Sequence, residues 1–334
     1  MLCFNMRLSA VVTLASLAMT TPGSAQGKLE GSRDLDLQVR LARMNASPGA
    51  IDGRMGQNTR FAISAFQRMR GLTENGRADN RLMEELSPQA GDPTLVDYLI
   101  TQKDVAGPFL QRLPARLEEM ATLKHLGYTS PIEALAEKFH MSEELLKQLN
   151  PRSSFSAGET IKVVNLGNLA LSPVKRIEVD KQAEAVWVFD AADRLIAAYP
   201  ATIGSRETPS PEGGHKVISV ARNPTYVYDP AKLNFKGVKT RSKLVIPSGP
   251  NNPVGVVWIA LDAPSYGIHG SPQPGKIRRQ ESHGCVRLTN WDALQLAAAV
   301  RKGVPVEFVD NAGPSTVGKG DSGSRPAPKR KAKH

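Results

Sequence analysis

The apolar positions change rhythm along the chain. Between Asp34 and about Leu86 they fall at helical spacing, with Phe61, Ala62, Ala65, Phe66 and Met69 on one face of a helix that Asn58 would cap. Asp52-Gly53 before that helix and Asn75-Gly76 after it are tight-turn signals, so residues 30–90 predict a small helical bundle with short loops. Leu110, Leu113, Leu117, Met120 and Leu123 then suggest a helical connector over residues 91–127, interrupted early by Pro114. From 128 to 166 two short helical patterns lead into a strand-like Thr160–Val164, an α+β segment. The first carries Ile132, Leu135, Ala136 and Phe139, the second Leu145, Leu146 and Leu149. Beyond Ile177 the period shortens to two or to brief apolar runs, such as Ala185 to Phe189 and Val254 to Leu261, separated by proline and glycine turns. That pattern predicts a β-rich domain over residues 172–311. One helix interrupts it, starting near Asn290, passing through Trp291, Leu294, Ala297 and Ala298, and ending at Gly303. The expected fold class is therefore multi-domain: a small helical bundle, an α+β segment and a C-terminal β-rich domain with one or two helices.

Composition fits that picture and charge adds a direction. With 334 residues, 40% apolar and 22% charged, the chain has the balance of an ordinary globular protein of several domains. Its formal charge of +11 favours acidic partners. The charge is unevenly spread: Lys319, Arg325, Lys329, Arg330, Lys331 and Lys333 face only Asp321 within residues 312–334. Glycine, serine, proline and lysine cannot supply a core there, so a disordered basic tail is expected, able to approach an anionic envelope surface. At the other end, Arg7 precedes an apolar run from Leu8 to Met19 and a small-residue exit from Thr20 to Ala25. This is the layout of a signal peptide over residues 1–25, and the run is shorter than the roughly 20 residues of a membrane span. Export, with no nucleic-acid motif beside the charge, argues against a nucleic-acid partner. It also fixes the cysteine count, because Cys3 leaves with the leader and Cys285 stays as a single thiol. An intermolecular pair, an inert buried residue and a reactive nucleophile are all open for it.

The densest cluster of reactive residue types is Tyr266-Gly267-Ile268-His269-Gly270 followed by Ser282-His283-Gly284-Cys285-Val286-Arg287. A thiol becomes a strong nucleophile only when a neighbouring imidazole takes its proton or holds it as an ion pair. Attack on an amide also needs donors for the developing oxyanion, which backbone N–H groups around Gly284 and Cys285 could supply. Arg287 is suited to a substrate carboxylate, since its planar fork makes two parallel hydrogen bonds. A zinc site on His269, His283 and Cys285 lacks the usual short ligand spacings and a fourth ligand.

The H-G and S-H-G-C-V-R elements together resemble the L,D-transpeptidase catalytic domain, the YkuD-type domain. Thr208-Pro209, Gly213-Gly214, the run from Pro247 to Gly255, and Trp258 stand upstream in matching order. The resemblance covers about residues 175–310 and departs at His215, where relatives usually carry threonine or an aromatic residue. We read His215 as a strand residue at a cleft edge. Leu37-Gln38, Ile51-Asp52-Gly53, Gly56, Thr59, Ala65-Phe66-Gln67 and Gly71-Leu72 resemble the peptidoglycan-binding domain of wall hydrolases and transpeptidases. Residues 128–166 resemble a degenerate LysM module, a two-helix, two-strand glycan-binding fold, with no opening strand evident upstream of Tyr128. A structural spacer is the other reading of that segment.

The transpeptidase resemblance implies Cys285 as nucleophile, His269 as general base and Gly270 as the residue whose carbonyl orients it. His283 and Gly284 would shape the oxyanion pocket, while Ser282, Arg287 and Tyr266 would fix the loop or the donor stem. It implies no cofactor and no metal. The partners would be peptidoglycan stem peptides and glycan, with the protein exported to the periplasm or cell envelope and wall-associated. The implied reaction is a 3→3 cross-link between diaminopimelate residues through a cysteine thioester. An L,D-carboxypeptidase, or an enzyme attaching a lipoprotein acceptor to the wall, would use the same residues. A non-catalytic wall-binding protein is the alternative of another class.

Overall fold

The computed structural model describes residues 32–310 apart from 90, 206, 232–237, 239, 281 and 283. The expected signal peptide, His283 and the basic tail at 312–334 lie outside the described residues. The N-terminal module has three helices, α1 (Arg33–Arg43), α2 (Gln57–Met69) and α3 (Asn80–Glu85). Ser32 caps α1 by accepting from the Leu35 N–H. Asp34 and Asp36 in its first turn and Arg40 and Arg43 in its last complement the helix dipole. Gln38 ties this helix to the next loop: its Oε1 accepts from the Asp52 and Gly53 N–H groups at 3.2 and 2.8 Å, and its Nε2 donates to Asp52 and Thr59 at 2.9 Å each. Helix α2 starts after Gly56 and has no side-chain cap. Asn58, expected to cap it, instead lies one residue inside and sends its amide toward the Ile277 carbonyl of the C-terminal domain.

The middle module corrects the helical connector expected over residues 91–127. That stretch opens with a strand, β1 (Leu95–Leu99), and holds only a 3₁₀ turn at Gln102–Val105 and one short helix, α4 (Leu117–Met120). Pro108 and Pro114 withhold the N–H groups that a continuous helix needs. Helices α5 (Pro131–Lys138) and α6 (Glu143–Leu149) follow, capped by Ser130 and Ser142, and then β2 (Thr160–Val164). Strand β1 pairs antiparallel with β2, from Leu95 opposite Val164 to Leu99 opposite Thr160. An opening strand therefore exists, on the far side of the segment where none was evident.

The C-terminal domain contains β3 (Arg176–Asp180), β4 (Ala185–Phe189), β5 (Leu195–Pro200), β6 (Thr202–Ile203), β7 (Gly213–Arg222), β8 (Tyr226–Tyr228) and β9 (Leu244–Ile246). After these come β10 (Val257–Leu261), β11 (Gly267–His269), β12 (Val286–Arg287), helix α7 (Asn290–Ala299) and β13 (Pro305–Val309). Nine strands form one sheet in the order β5-β4-β3-β13-β7-β10-β11-β12-β6, and β8 pairs with β9 in a separate hairpin. Helix α7 ends before Val300, short of Gly303, which turns into β13 with φ +90°. Strand β4 is buried along its whole length. Val186 and Val188 enter the core beneath α7, whereas Ala185, Trp187 and Phe189 pack against the N-terminal helices. Leu126 of the middle module grips the loop before β10: its N–H donates to the Ser248 carbonyl at 2.9 Å and its own carbonyl accepts from Asn251 at 3.0 Å.

Candidate active site

Strand alternation decides which side chains meet. Strands β11 and β12 run parallel, with Ile268 opposite Val286 and His269 opposite Arg287. Ile268 and Val286 point into the core. The two-residue period puts Gly267, His269, Cys285 and Arg287 on the other face, joined there by Trp258 opposite His269 on β10. Trp258 and His269 stack with centroids 5.4 Å apart. Gly267 makes room for them, since a Cβ there would lie 2.8 Å from the indole.

His269 is 3% exposed, and its Nδ1 lies 2.7 Å from the Gly270 carbonyl oxygen. A carbonyl only accepts, so Nδ1 carries the proton and Nε2 keeps the lone pair. Burial, together with the Arg287 charge, pushes the imidazole pKa down to about 3. Burial pushes the Cys285 thiol up, opposed by the Gly267 N–H and the Arg287 charge. Each group therefore rests uncharged, Cys285 as a thiol and His269 as a neutral imidazole. Within the described residues the thiol donates to the Ser265 carbonyl at 3.7 Å.

The turn carrying the thiol is fastened through its carbonyls. Ser282 Oγ donates to the Cys285 carbonyl at 2.6 Å, Ser210 Oγ to the Gly284 carbonyl at 2.8 Å, and Thr208 Oγ1 to the Ser282 carbonyl at 3.3 Å. A trans peptide points its N–H opposite to its carbonyl, so the Cys285 N–H faces away from Ser210. Gly284 has φ +98°, and a Cβ on it would stand 2.7 Å from the Tyr266 ring and 3.2 Å from the Pro209 carbonyl. Tyr266 reaches that same carbonyl with its hydroxyl at 3.4 Å.

The structure thus gathers Cys285, His269, Gly270, Gly284, Ser282, Arg287 and Tyr266 in one region, while His283 is outside the described residues. Arg287 is largely buried and its Nε has no hydrogen-bond partner among the described residues. Burial lowers its pKa, against the pull of Cys285 and Tyr226. His215 is a strand residue, bonded through Nδ1 to Asp262 at 2.9 Å on β7, away from this face. Sequence reasoning missed Tyr226, Ser210 and Asn290 as members of the site. Tyr226 and Ser210 carry no local motif, whereas Asn290 stands three residues after Arg287, at the first turn of α7.

Residues 174–308 match the L,D-transpeptidase catalytic domain (YkuD), and residues 30–86 match a family described as "Putative peptidoglycan binding domain". Among curated relatives, the "Putative L,D-transpeptidase YkuD" of Bacillus licheniformis is 29% identical over 180 residues, covering 53% of this chain and 92% of that protein. The "Probable L,D-transpeptidase YbiS" of Escherichia coli is 26% identical over 191 residues, covering 55% of this chain and 61% of that protein. A solved L,D-transpeptidase from Stackebrandtia nassauensis aligns over 84% of this chain and 92% of its own, at 17% identity and a TM-score of 0.32. A superposition of that quality carries no weight beyond the family matches.

Proposed function

Given that this chain carries a YkuD-type L,D-transpeptidase catalytic domain behind an N-terminal peptidoglycan-binding domain, we propose that it is exported and forms 3→3 cross-links in peptidoglycan. Three residues on one sheet face carry this reading: a neutral Cys285, a neutral His269 hung by Nδ1 on Gly270, and an Arg287 whose Nε has no partner among the described residues. Cys285 Sγ attacks the amide carbonyl between the L-centre of diaminopimelate and the terminal D-alanine of a stem peptide. His269 Nε2 takes the thiol proton as the C–S bond forms and gives it to the D-alanine nitrogen as the C–N bond breaks. The Cys285 N–H meets the oxyanion, and Arg287 holds a stem carboxylate. The side-chain amine of a second diaminopimelate then attacks the thioester. His269 accepts its proton and returns it to the departing sulfur, so the enzyme is regenerated without cofactor. The peptidoglycan-binding domain keeps the enzyme on the wall, and the pairing of β1 with β2 around the helices α5 and α6, with the short α4 inserted after β1, supports a LysM-like contribution to glycan binding.

The test is mass spectrometry of disaccharide-tetrapeptide incubated with the protein and with its Cys285→Ala variant. Loss of D-alanine with a cross-linked dimer, absent in the variant, is the expected result. Monomeric tripeptide alone would make the enzyme a carboxypeptidase. No Cys285-dependent change would move the activity to lipoprotein attachment or leave a wall-binding protein.

A further inference from the structure

The His269 hydrogen-bond acceptor is itself held from outside the catalytic domain. Asn290, 1% exposed, opens α7 and presses its carboxamide against two glycines: a Cβ on Gly255 or Gly270 would come within 2.1 or 2.3 Å of Asn290 Oδ1. That oxygen accepts the Val256 N–H at 3.2 Å. The opposite end, Nδ2, donates to the Pro250 carbonyl at 3.1 Å and to Glu137 Oε1 and Oε2 at 2.9 and 3.1 Å. Glu137 belongs to α5 of the middle module. Tyr128 OH donates to its Oε2 at 3.3 Å, and Glu133, one turn earlier, accepts from Asn251 Nδ2 at 2.8 Å.

A carboxamide has a donor end and an acceptor end of nearly equal shape, so its partners determine which way it lies. A reversed Asn290 would turn two N–H groups toward the Val256 N–H and leave the Gly255 and Gly270 backbone without its oxygen contact. We propose that Glu137 is a positioning residue for the active site: by accepting from Asn290 Nδ2 it fixes the carboxamide that seats Gly255, Val256 and Gly270, and with them the carbonyl that orients His269. The middle module thereby completes the catalytic domain through a side chain that touches neither substrate nor the reacting atoms. This inference rests on the transpeptidase reading for its kinetic consequence and on geometry alone for its structural one.

The experiment compares the full chain with Glu137→Ala, Glu137→Met and Glu137→Gln. Gln keeps an oxygen acceptor for Asn290, and Met keeps the volume without one. Two measurements are made: the kinetics of D-alanine release, giving kcat and KM, and the His269 Nδ1 proton resonance, assigned by its loss in His269→Gln. The Ala and Met variants should lose kcat by about 10- to 100-fold, as a misplaced catalytic group does, with KM within about twofold. Their His269 resonance should shift or broaden, while Gln restores both readouts to within about threefold in rate. Unchanged kcat and resonance in a folded Ala or Met variant would overturn the proposal, as would an effect confined to KM. Loss of the fold in both would assign Glu137 to stability and overturn it equally. If the unaltered protein releases no D-alanine, the functional reading fails by itself, and the resonance still decides the positioning role.

Discussion

The Cys285 thiol sits between opposed influences: burial raises its pKa, while Arg287 and the Gly267 N–H favour the thiolate. Alkylation by iodoacetamide should therefore be slow at neutral pH and rise steeply only above the ordinary thiol range. Arg287→Gln removes a favourable charge and should slow the reaction further at pH 8, by about tenfold for each unit of added pKa. A rate equal to that of free cysteine at pH 7 would contradict the raised thiol pKa. Gly284→Ala places a Cβ 2.7 Å from the Tyr266 ring on a residue with φ +98°. It should cost about 1–3 kcal/mol of stability and largely abolish Cys285 acylation, as read by denaturant titration and intact mass. These residues were legible in the sequence because S-H-G-C-V-R is contiguous. Tyr226 was not legible, since it stands on β8, far along the chain from Arg287 and Cys285, and only the tertiary fold brings it beside them.

Strand β4 shows what a continuous apolar run does at the scale of elements. Residues Ala185 to Phe189 are buried on both faces, one by the sheet's own core and one by the N-terminal helices. Trp187 is 4% exposed, with the Phe61 ring 5.6 Å away and the Arg68 guanidinium 4.6 Å from its centroid. Trp187→Ala should cost about 3–5 kcal/mol, and a denaturation midpoint unchanged from the parent would show that the module contact is loose. The run itself announced a strand, though neither its burial on both faces nor its cover. The expected connector failed for a related reason. Leu110 to Leu123 have helical spacing, but Leu110 bonds to Tyr128 and Leu126 to Ser248, so the segment follows its neighbours instead of its own period.

Across the whole molecule, buried carboxyls sit where modules meet. Burial raises Glu137 to about 8 and Asp292 to about 7. Tyr128, Glu133 and Asn290 face Glu137, while Ser47, Thr289 and Tyr199 surround Asp292. Ser47, from the N-terminal module, donates to Asp292 at 3.0 Å. Both folded-state pKa values lie above the ordinary carboxylate range, so the native state holds protons that the unfolded chain releases. Their contribution to stability is fully present below that range, is lost as pH rises through about 7 and 8, and levels off above. Melting temperatures between pH 4.5 and 9 should fall less for Glu137→Gln and Asp292→Asn than for the parent, and equal slopes would refute the assignment. Deleting residues 32–86 should uncover Trp187, Phe189 and Ala198, and the remaining fragment should sediment as aggregates. A monomeric fragment would show that the catalytic domain needs no cover.

By itself the sequence carried the helical N-terminal part, the β-rich C-terminal part, the apolar run of β4 and the candidacy of Cys285 and His269, because each is written in adjacent residues or in a local period. Only the tertiary structure decided that β1 pairs with β2, that His269 shares a face with Cys285 and Arg287, and that Glu137 reaches Asn290 across 153 positions. A period tells which side of an element leaves water. It does not tell what that side meets, because strand register and contacts between distant segments are set by how whole elements close upon one another.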